Sequence, residues 1–515
     1  MKDYLLKKSL ILIVIILLID ISIQPIIIGT EEKARNENGF LINQTNHSYN
    51  PEIGELDVDY IYNITENLSY IIFREYDEEN GEIAKGREFG TKGEHKAADI
   101  IYENMTKLGL YVWKEQIKNT PGNPRLTYKL EVVDYKLKVN DTNVDCYIAP
   151  AWIAPRGQDD KLNCTFSYNG VKVKLRPRFP LIYNPRLASE TEDFVFIDKN
   201  IWFNASTNLI NRSILNTINY KPYLFTLLKI QTKLWHKWYP HCQGLILYDF
   251  NDDTHDMINL EHVNVLPILF INGTVGKRIL SDIDNITIDY YLNQRYNPSM
   301  ESYNVIGQLN GTDPSKTVIV DCLYDSWWCQ GTADSAIGMA IVLGVAKYFV
   351  EHNIIPKYNL KFIAFGGEED GMRGAKYYEE IHRDENIIYV IDLNQVGFRQ
   401  DEPRLTLDII ANKLLFLGEI WKVIERSDYV NRTGNTANII PLWIPIGAPS
   451  DDMVFAQKRP SCKTVCFLKD CTWRLHHRDG LNHTEGDVIK YFDYQDVKVT
   501  GEMVLNVTKY LSVDP

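Results

Sequence analysis

The chain has 515 residues, 45% of them hydrophobic and 24% charged, with a formal net charge of −13. That balance excludes a collagen-like or low-complexity chain and disorder over most of the length, and without a long Lys/Arg run it gives no support to nucleic-acid binding. The length suggests about two to four domains, and the 8 cysteines are even in number but too few for a disulfide-built scaffold.

Lys2, Lys7 and Lys8 precede an apolar run from Leu10 to Leu18, interrupted by Asp20 and resumed from Ile21 to Ile28. A basic start followed by a short apolar stretch is the pattern of a secretory signal. No clear small-residue cleavage site follows, so an uncleaved membrane anchor stays open. Asn-x-Ser/Thr triplets agree with export. Fifteen occur, from Asn43 and Asn46 through Asn104 and Asn272 to Asn482 and Asn506, and such triplets accept glycans only outside the cytosol. The expected location is secreted or cell-surface. Oxidising surroundings would also permit Cys462, Cys466 and Cys471 to pair.

Residues 31–55 are polar and read as a linker. Glu94 to Gly109 has helical spacing, with Ala97, Ile101, Met105 and Leu108 on one stripe and Gly109 as a stop. From about 130 to 300 the texture is β-rich. Gly244 to Tyr248 is a strand candidate, and Val265 to Ile271 another, which Pro267 would place at a sheet edge.

After Tyr303 the pattern alternates between strand and helix. Thr317–Asp321, Leu360–Phe365, Ile387–Leu393 and Lys463–Phe467 read as strands. Asp334–Phe349 and Gly374–Ile381 read as helices. Continuous apolar strands between helices imply an α/β fold: a mostly parallel mixed sheet with helices on both faces. In such sheets the chemistry sits beyond the carboxyl ends of the strands. There the chain carries Asp321 to Ser326, Gly331-Thr-Ala-Asp334, Gly366-Gly-Glu-Glu-Asp-Gly371, Asp392-Leu-Asn394 and His476 to His483. Carboxylates, an amide and histidines at successive strand ends suit a divalent cation, and Zn²⁺ takes such ligands readily. Asp334 is also well placed for an N-cap. Trp327 and Trp328 could line a pocket or simply pack there.

These motifs together resemble the secreted co-catalytic zinc exopeptidases, which include bacterial aminopeptidases and glutamate carboxypeptidase. The resemblance rests on Ser302 to Thr312, on the acidic loop Gly366 to Gly374, on Ser450-Asp451 with Phe455, and on His483 to Asp487. Arg87 to Gly109 is similar to the family's N-terminal helix region. The β-rich stretch resembles the inserted protease-associated domain of some members. The implied layout is a leader at 1–30, the linker at 31–55, an N-terminal part of the peptidase-like domain at 56–130, the insert at 131–300 and the main α/β domain at 301–515.

The resemblance also implies roles. Asp334 would be the bridging carboxylate between two metals, Glu369 and His483 further ligands, and Glu368 the general base. Asp325 would stand behind the ligands. Two positions depart from the family pattern: Leu323 stands where a ligand His is expected, and Asn394 where an Asp is expected. Leu has no donor atom, and Asn offers only a neutral oxygen, so one or two zinc ions would be held more weakly. Asp321 shares the strand face of Leu323 at period two, and Asp392 that of Asn394, which makes both candidate replacement ligands. Cys322, Cys329, His476 and His477 are nearby in sequence.

The implied function is an aminopeptidase-type zinc hydrolase acting on peptides. Two alternatives stand beside it: a catalytically inactive homologue acting as a binding or receptor protein, and a single-metal hydrolase of a non-peptide amide. The expected partners are a peptide or protein substrate or ligand and no nucleic acid. A single N-terminal membrane anchor and a homodimer are left open.

Overall fold

The structure is a computed structural model. It describes residues 56–149, 268–398, 406–441, 450–469 and 486–513, apart from short breaks, together with the strands Cys164–Leu175, Asp193–Asp198 and Cys242–Tyr248. The leader, the linker to residue 55, Trp328, Cys471, His476, His477, Asn482 and His483 lie outside the described residues.

Two helices begin the fold. α1 (Val58–Ser69) starts where Asp57 accepts the Tyr60 N–H at 2.9 Å, and buries Ile61, Ile64 and Leu68. The hairpin β1 (Phe73–Asp77) and β2 (Glu82–Lys85) follows. α2 (Lys92–Lys107) is capped by Thr91, whose hydroxyl accepts the Glu94 N–H, and buries Ala97, Ile101 and Met105 as their spacing predicts. Gly109, at φ +82°, turns the chain out of it.

β3 (Tyr111–Gln116) then joins the main sheet. Seven strands lie next in sequence: β4 (Lys129–Val139), β5 (Thr142–Val144), β6 (Tyr147–Ala149), β7 (Cys164–Leu175), β8 (Asp193–Asp198), β9 (Cys242–Tyr248) and β10 (Ile268–Ile271). α3 (Gly273–Ser281) and β11 (Thr287–Asn297) complete a second, eight-stranded sheet in the order β5-β4-β11-β7-β8-β9-β10-β6. Here the structure corrects one expectation: β10 pairs on both sides, with β9 and with β6, so it is not an edge strand.

The chain returns to the main sheet through β12 (Tyr303–Leu309) and β13 (Asp313–Leu323). α4 (Ile337–Glu351), β14 (Tyr358–Phe365), α5 (Arg373–Ile381) and β15 (Ile387–Asn394) follow, then β16 (Thr406–Ala411), α6 (Leu414–Ile424), α7 (Tyr429–Thr433) and β17 (Thr436–Pro441). α8 (Asp452–Lys458), β18 (Lys463–Lys469) and α9 (Tyr494–Ser512) end the fold. The main sheet runs β17-β16-β18-β15-β13-β14-β12-β3. Its centre is parallel, because β13 pairs in parallel with β14 and β15, and β15 with β18. β12 is antiparallel to both β14 and β3. The fold is therefore the expected mixed α/β type.

The apolar strands need cover on both faces. One face packs α1, α4 and α9 through residues such as Ile61, Val320, Ile341, Leu343 and Val504. The other packs α5 and α8 through Ile319, Ile363, Tyr378 and Phe455. Residues Thr332–Glu351 are long and apolar enough to cross a membrane, but they are mostly buried as a core element. One glycan triplet is also internal: Asn506 on α9 is 3% exposed, so the folded protein cannot present it for modification.

Candidate active site

The carboxyl ends of β13, β14 and β15 carry the residues of interest, where an open α/β sheet places its chemistry. Leu323, the last residue of β13, is fully buried in the main core. The altered ligand position has thus been absorbed into packing. Asp325, two residues on, is 1% exposed. Its carboxylate accepts the backbone N–H groups of Glu368 at 3.0 Å and Glu369 at 3.2 Å. It therefore fixes the acidic loop from behind. Burial, and then the charge of Glu369, push the Asp325 pKa up to about 8, against those two N–H groups.

Asp334 does not belong to the regular helix. It lies in a π-type turn, Thr332–Ala336, with φ −121° and ψ 82°, and α4 starts only at Ile337. It is not the cap of that helix either: the cap position is Ala336, which makes no side-chain bond. Instead Asp334 accepts Gln395 Nε2 at 3.0 Å. The carboxylate of Asp487 holds the turn by accepting the N–H of Ala333 at 2.7 Å and of Asp334 at 3.1 Å. Burial first, and the neighbouring Asp334, raise Asp487 to about 7. Gln395, just beyond β15, has φ +57°, a region that side chains other than glycine seldom occupy. Such local strain is characteristic of sites whose geometry is fixed by their surroundings.

The acidic loop follows β14. Glu368 keeps part of its surface in solvent, while its carboxyl is densely surrounded by protein. Burial, then the charges of Glu369, Asp451, Asp325 and Asp334, push its pKa well above the ordinary carboxylate range. The structure thus brings Glu368, Glu369, Asp325 and Asp334 into one electrostatic neighbourhood. Asn394, at the end of β15, donates from Nδ2 to Ser450 Oγ at 3.2 Å. Its Oδ1 is buried and has no hydrogen-bond partner among the described residues.

The donor set fits a divalent cation in part. Asp334 and Glu369 supply carboxylates, and the orphaned Asn394 Oδ1 supplies an oxygen. Leu323 supplies nothing, and the expected ligand His483 lies outside the described residues. Cys322 and Cys329 are buried free thiols, as are Cys462 and Cys466, so the latter two are not bonded to each other.

Two supports escaped the sequence reading. Arg87 is 1% exposed. Its guanidinium donates to the carbonyls of Tyr324, Leu68, Gln330 and Gly331 at 2.5–3.0 Å, stapling the 324–331 loop to α1. Gly331, at φ +56°, makes that approach possible, since a Cβ there would lie 2.8 Å from the guanidinium. Lys129, also 1% exposed, sits between Glu88 at 2.9 Å and Asp370 at 3.2 Å, and so holds the base of the acidic loop. Neither has a local sequence signal, because their partners are remote in the chain.

Comparison with known proteins agrees with the resemblance. Residues 304–508 match the family model of Peptidase family M28. The zinc aminopeptidase BSAP from Bacillus subtilis superimposes with a TM-score of 0.60 at 17% identity, over 89% of this chain and 96% of that one. A Peptidase M28 precursor from Shewanella amazonensis does so with a TM-score of 0.59 at 16% identity, over 88% and 93%. These likenesses establish the fold. Among curated relatives, bovine (Bos taurus) Carboxypeptidase Q is 22% identical over 46% of this chain and 47% of its own length. A probable zinc metalloprotease from Pyrenophora teres f. teres is 30% identical over 20% and 24%. The chain spans about half or less of the length of the curated relatives it matches.

Proposed function

We propose that this protein is an extracytoplasmic zinc metallopeptidase that removes residues from the amino terminus of peptides. The observation that carries the reading is the placement of Glu368. Its carboxyl lies among Asp334, Glu369 and Asp325, on a loop whose two amides are held by Asp325. The family match over 304–508 supports peptide hydrolysis. The basic, apolar N-terminus and the abundant glycan triplets support export.

Asp334, Glu369, Asn394 and His483 would hold the metal. Zinc bound there would supply Lewis-acid polarisation of the scissile carbonyl. Glu368 takes a proton from the attacking water and returns it to the leaving amine. Burial and the neighbouring acids raise its pKa above the ordinary carboxylate range, the direction that makes it a stronger proton acceptor. Asp325 and Asp487 keep the loop and the turn in register while the proton moves.

The test is Glu368→Gln. It should leave zinc content unchanged and lower kcat for release of an N-terminal residue by roughly 10²–10⁴-fold. Equal turnover in both proteins would refute the assignment. One observation favours a second reading, a binding protein without catalysis: Leu323, which has no donor atom, is packed into the core at the position where a ligand is expected. Wild-type protein that holds zinc yet releases no residue from any peptide would favour that reading.

A further inference from the structure

On the α8 face of the main sheet, three neighbouring strands place acids side by side. Asp321 on β13 is in register with Asp392 on β15, and Asp392 with Cys466 on β18. Asp451 and Asp452 approach from the head of α8. All five residues are buried, and Asp321, Asp392 and Asp451 are 0% exposed. The potential ligand atoms of Asp392, Asp452 and Cys466 lie within 4.8 Å of one another, a set of donors not found elsewhere among the described residues.

We propose that Asp392, Asp452 and Cys466, with Asp321 and Asp451 beside them, form a closed site for a divalent transition ion of the zinc type. The site is separate from the Asp334–Glu369 set and does not rest on the peptidase reading.

Three observations converge on it. First, both carboxylate oxygens of Asp321 and of Asp451 are buried without a hydrogen-bond partner among the described residues, while the Asp392 carboxylate is approached by the Ser450 hydroxyl, the Cys466 thiol and the N–H groups of Leu393 and Asp452. Buried polar groups are normally satisfied, and buried charges are normally paired or bound to a metal. Second, compensating positive charge is scarce. Lys376 is the cation that bears on Asp451, and its ammonium donates to the Gly371 carbonyl at 2.6 Å. The groups acting on Asp321 are the other three aspartates, and burial together with their charges drives its pKa well up. Third, the donor chemistry is specific. A thiol beside two carboxylates suits a borderline ion such as Zn²⁺ and is a poor match for Ca²⁺ or Mg²⁺, which take oxygen ligands. Thr464 donates to Asp452 Oδ2 at 2.8 Å, a bond that orients this carboxylate from behind.

Because every member is buried, the site offers no open position to a substrate. Its role is structural: it ties α8 to β15 and β18. Ser450, the hydrogen-bond partner of Asn394, immediately precedes Asp451. The ion therefore also sets the loop that orients Asn394.

X-ray absorption at the zinc edge tests this on the full chain loaded with zinc. One sulfur scatterer at about 2.3 Å is expected, because the Asp334, Glu369, Asn394 and His483 set contains no thiol. The sulfur should persist in Glu369→Gln and be lost in Cys466→Ser. A wild-type shell of nitrogen and oxygen alone overturns the proposal, as does failure to take up zinc, which would mean that protons keep the cluster neutral. Should Cys466→Ser not fold, Asp392→Asn carries the same expectation of lost sulfur. A sulfur that survives in a folded variant of either kind also overturns it. A chain without peptidase activity would still show the signal, so the two readings fail separately.

Discussion

Strand β18 buries charge in two opposite ways. At its end, Lys469 is 0% exposed and lies 2.5 Å from Asp496 on α9, itself 1% exposed, while also donating to the Phe398 carbonyl. Three residues earlier, Cys466 faces Asp392 and Asp452 with no basic side chain among them. The first region is complete within the chain. The second is complete only with protons or a cation from outside. A buried ion pair contributes little net stability, but either member alone is strongly unfavourable. One strand thus carries a self-contained charge pair and an acidic set open to linkage with the solvent's ions.

The largest expected effect breaks the complete region. Lys469→Met leaves Asp496 buried without its cation and should cost about 3–5 kcal/mol, read by denaturant unfolding. Adding Asp496→Leu should restore much of that loss. If Lys469→Met alone is neutral, the pair is not what holds α9 on the sheet.

A similar pairing exists on β14. Lys361 donates to Glu385 and to Tyr378, and Thr317 donates to Glu385 at 2.6 Å. Burial opposes the Glu385 charge, but Lys361 and these hydrogen bonds outweigh it and hold its pKa below the ordinary value. Glu385→Gln should therefore cost about 2 kcal/mol at neutral pH. Since the folded pKa is depressed, the stabilising contribution is present above the unfolded value of 4.5 and is lost as pH falls through the folded one. The variant and wild type should converge in acid.

The acidic region predicts the opposite slope. Burial raises Asp392 to about 6 and Asp452 to about 8 from an ordinary 3.8. The folded, metal-free protein then holds protons that the unfolded chain sheds above about pH 4. Its stability is full below that pH and is lost as pH rises through these folded values. Thermal midpoints in chelator should fall between about pH 5 and about pH 8.5. Asp321→Asn should flatten the slope slightly, and added zinc should flatten it more. A midpoint that rises over this range would contradict the picture of an uncompensated set.

Much of this was legible in the residues themselves. Short apolar runs such as Phe362 to Phe365 and Val318 to Val320, set between helical stretches, read as strands covered on both sides, and the stripe Ala97, Ile101, Met105 reads as a buried helix face. The order of the acidic motifs marked Glu368, Glu369 and Asp334. The backbone at Asp334 was not legible, because a turn held by Asp487 replaces the first helical turn that the apolar spacing implies. Nor was the Arg87 staple, whose acceptors are main-chain carbonyls and leave no pattern. Period two put Asp321 beside Leu323 and Asp392 beside Asn394. Only the register of β13, β15 and β18 shows that these acids meet each other and Cys466. Register between strands some 70 residues apart is a property of the whole sheet.

The ladder between β3 and β12 has a topological consequence. Gln116 is paired with Tyr303, and the Ile117 N–H donates to the Ser302 carbonyl at 2.9 Å. The chain leaves the main sheet and re-enters it at adjacent points, so the strands β4 to β11 all lie within one excursion of the chain. Loop closure grows only logarithmically with length. The adjacent entry and exit let the excursion beyond Lys129 lengthen or shorten while the strands that carry the acids keep their neighbours, whereas Lys129 itself is fixed by its reach back to Glu88 and Asp370.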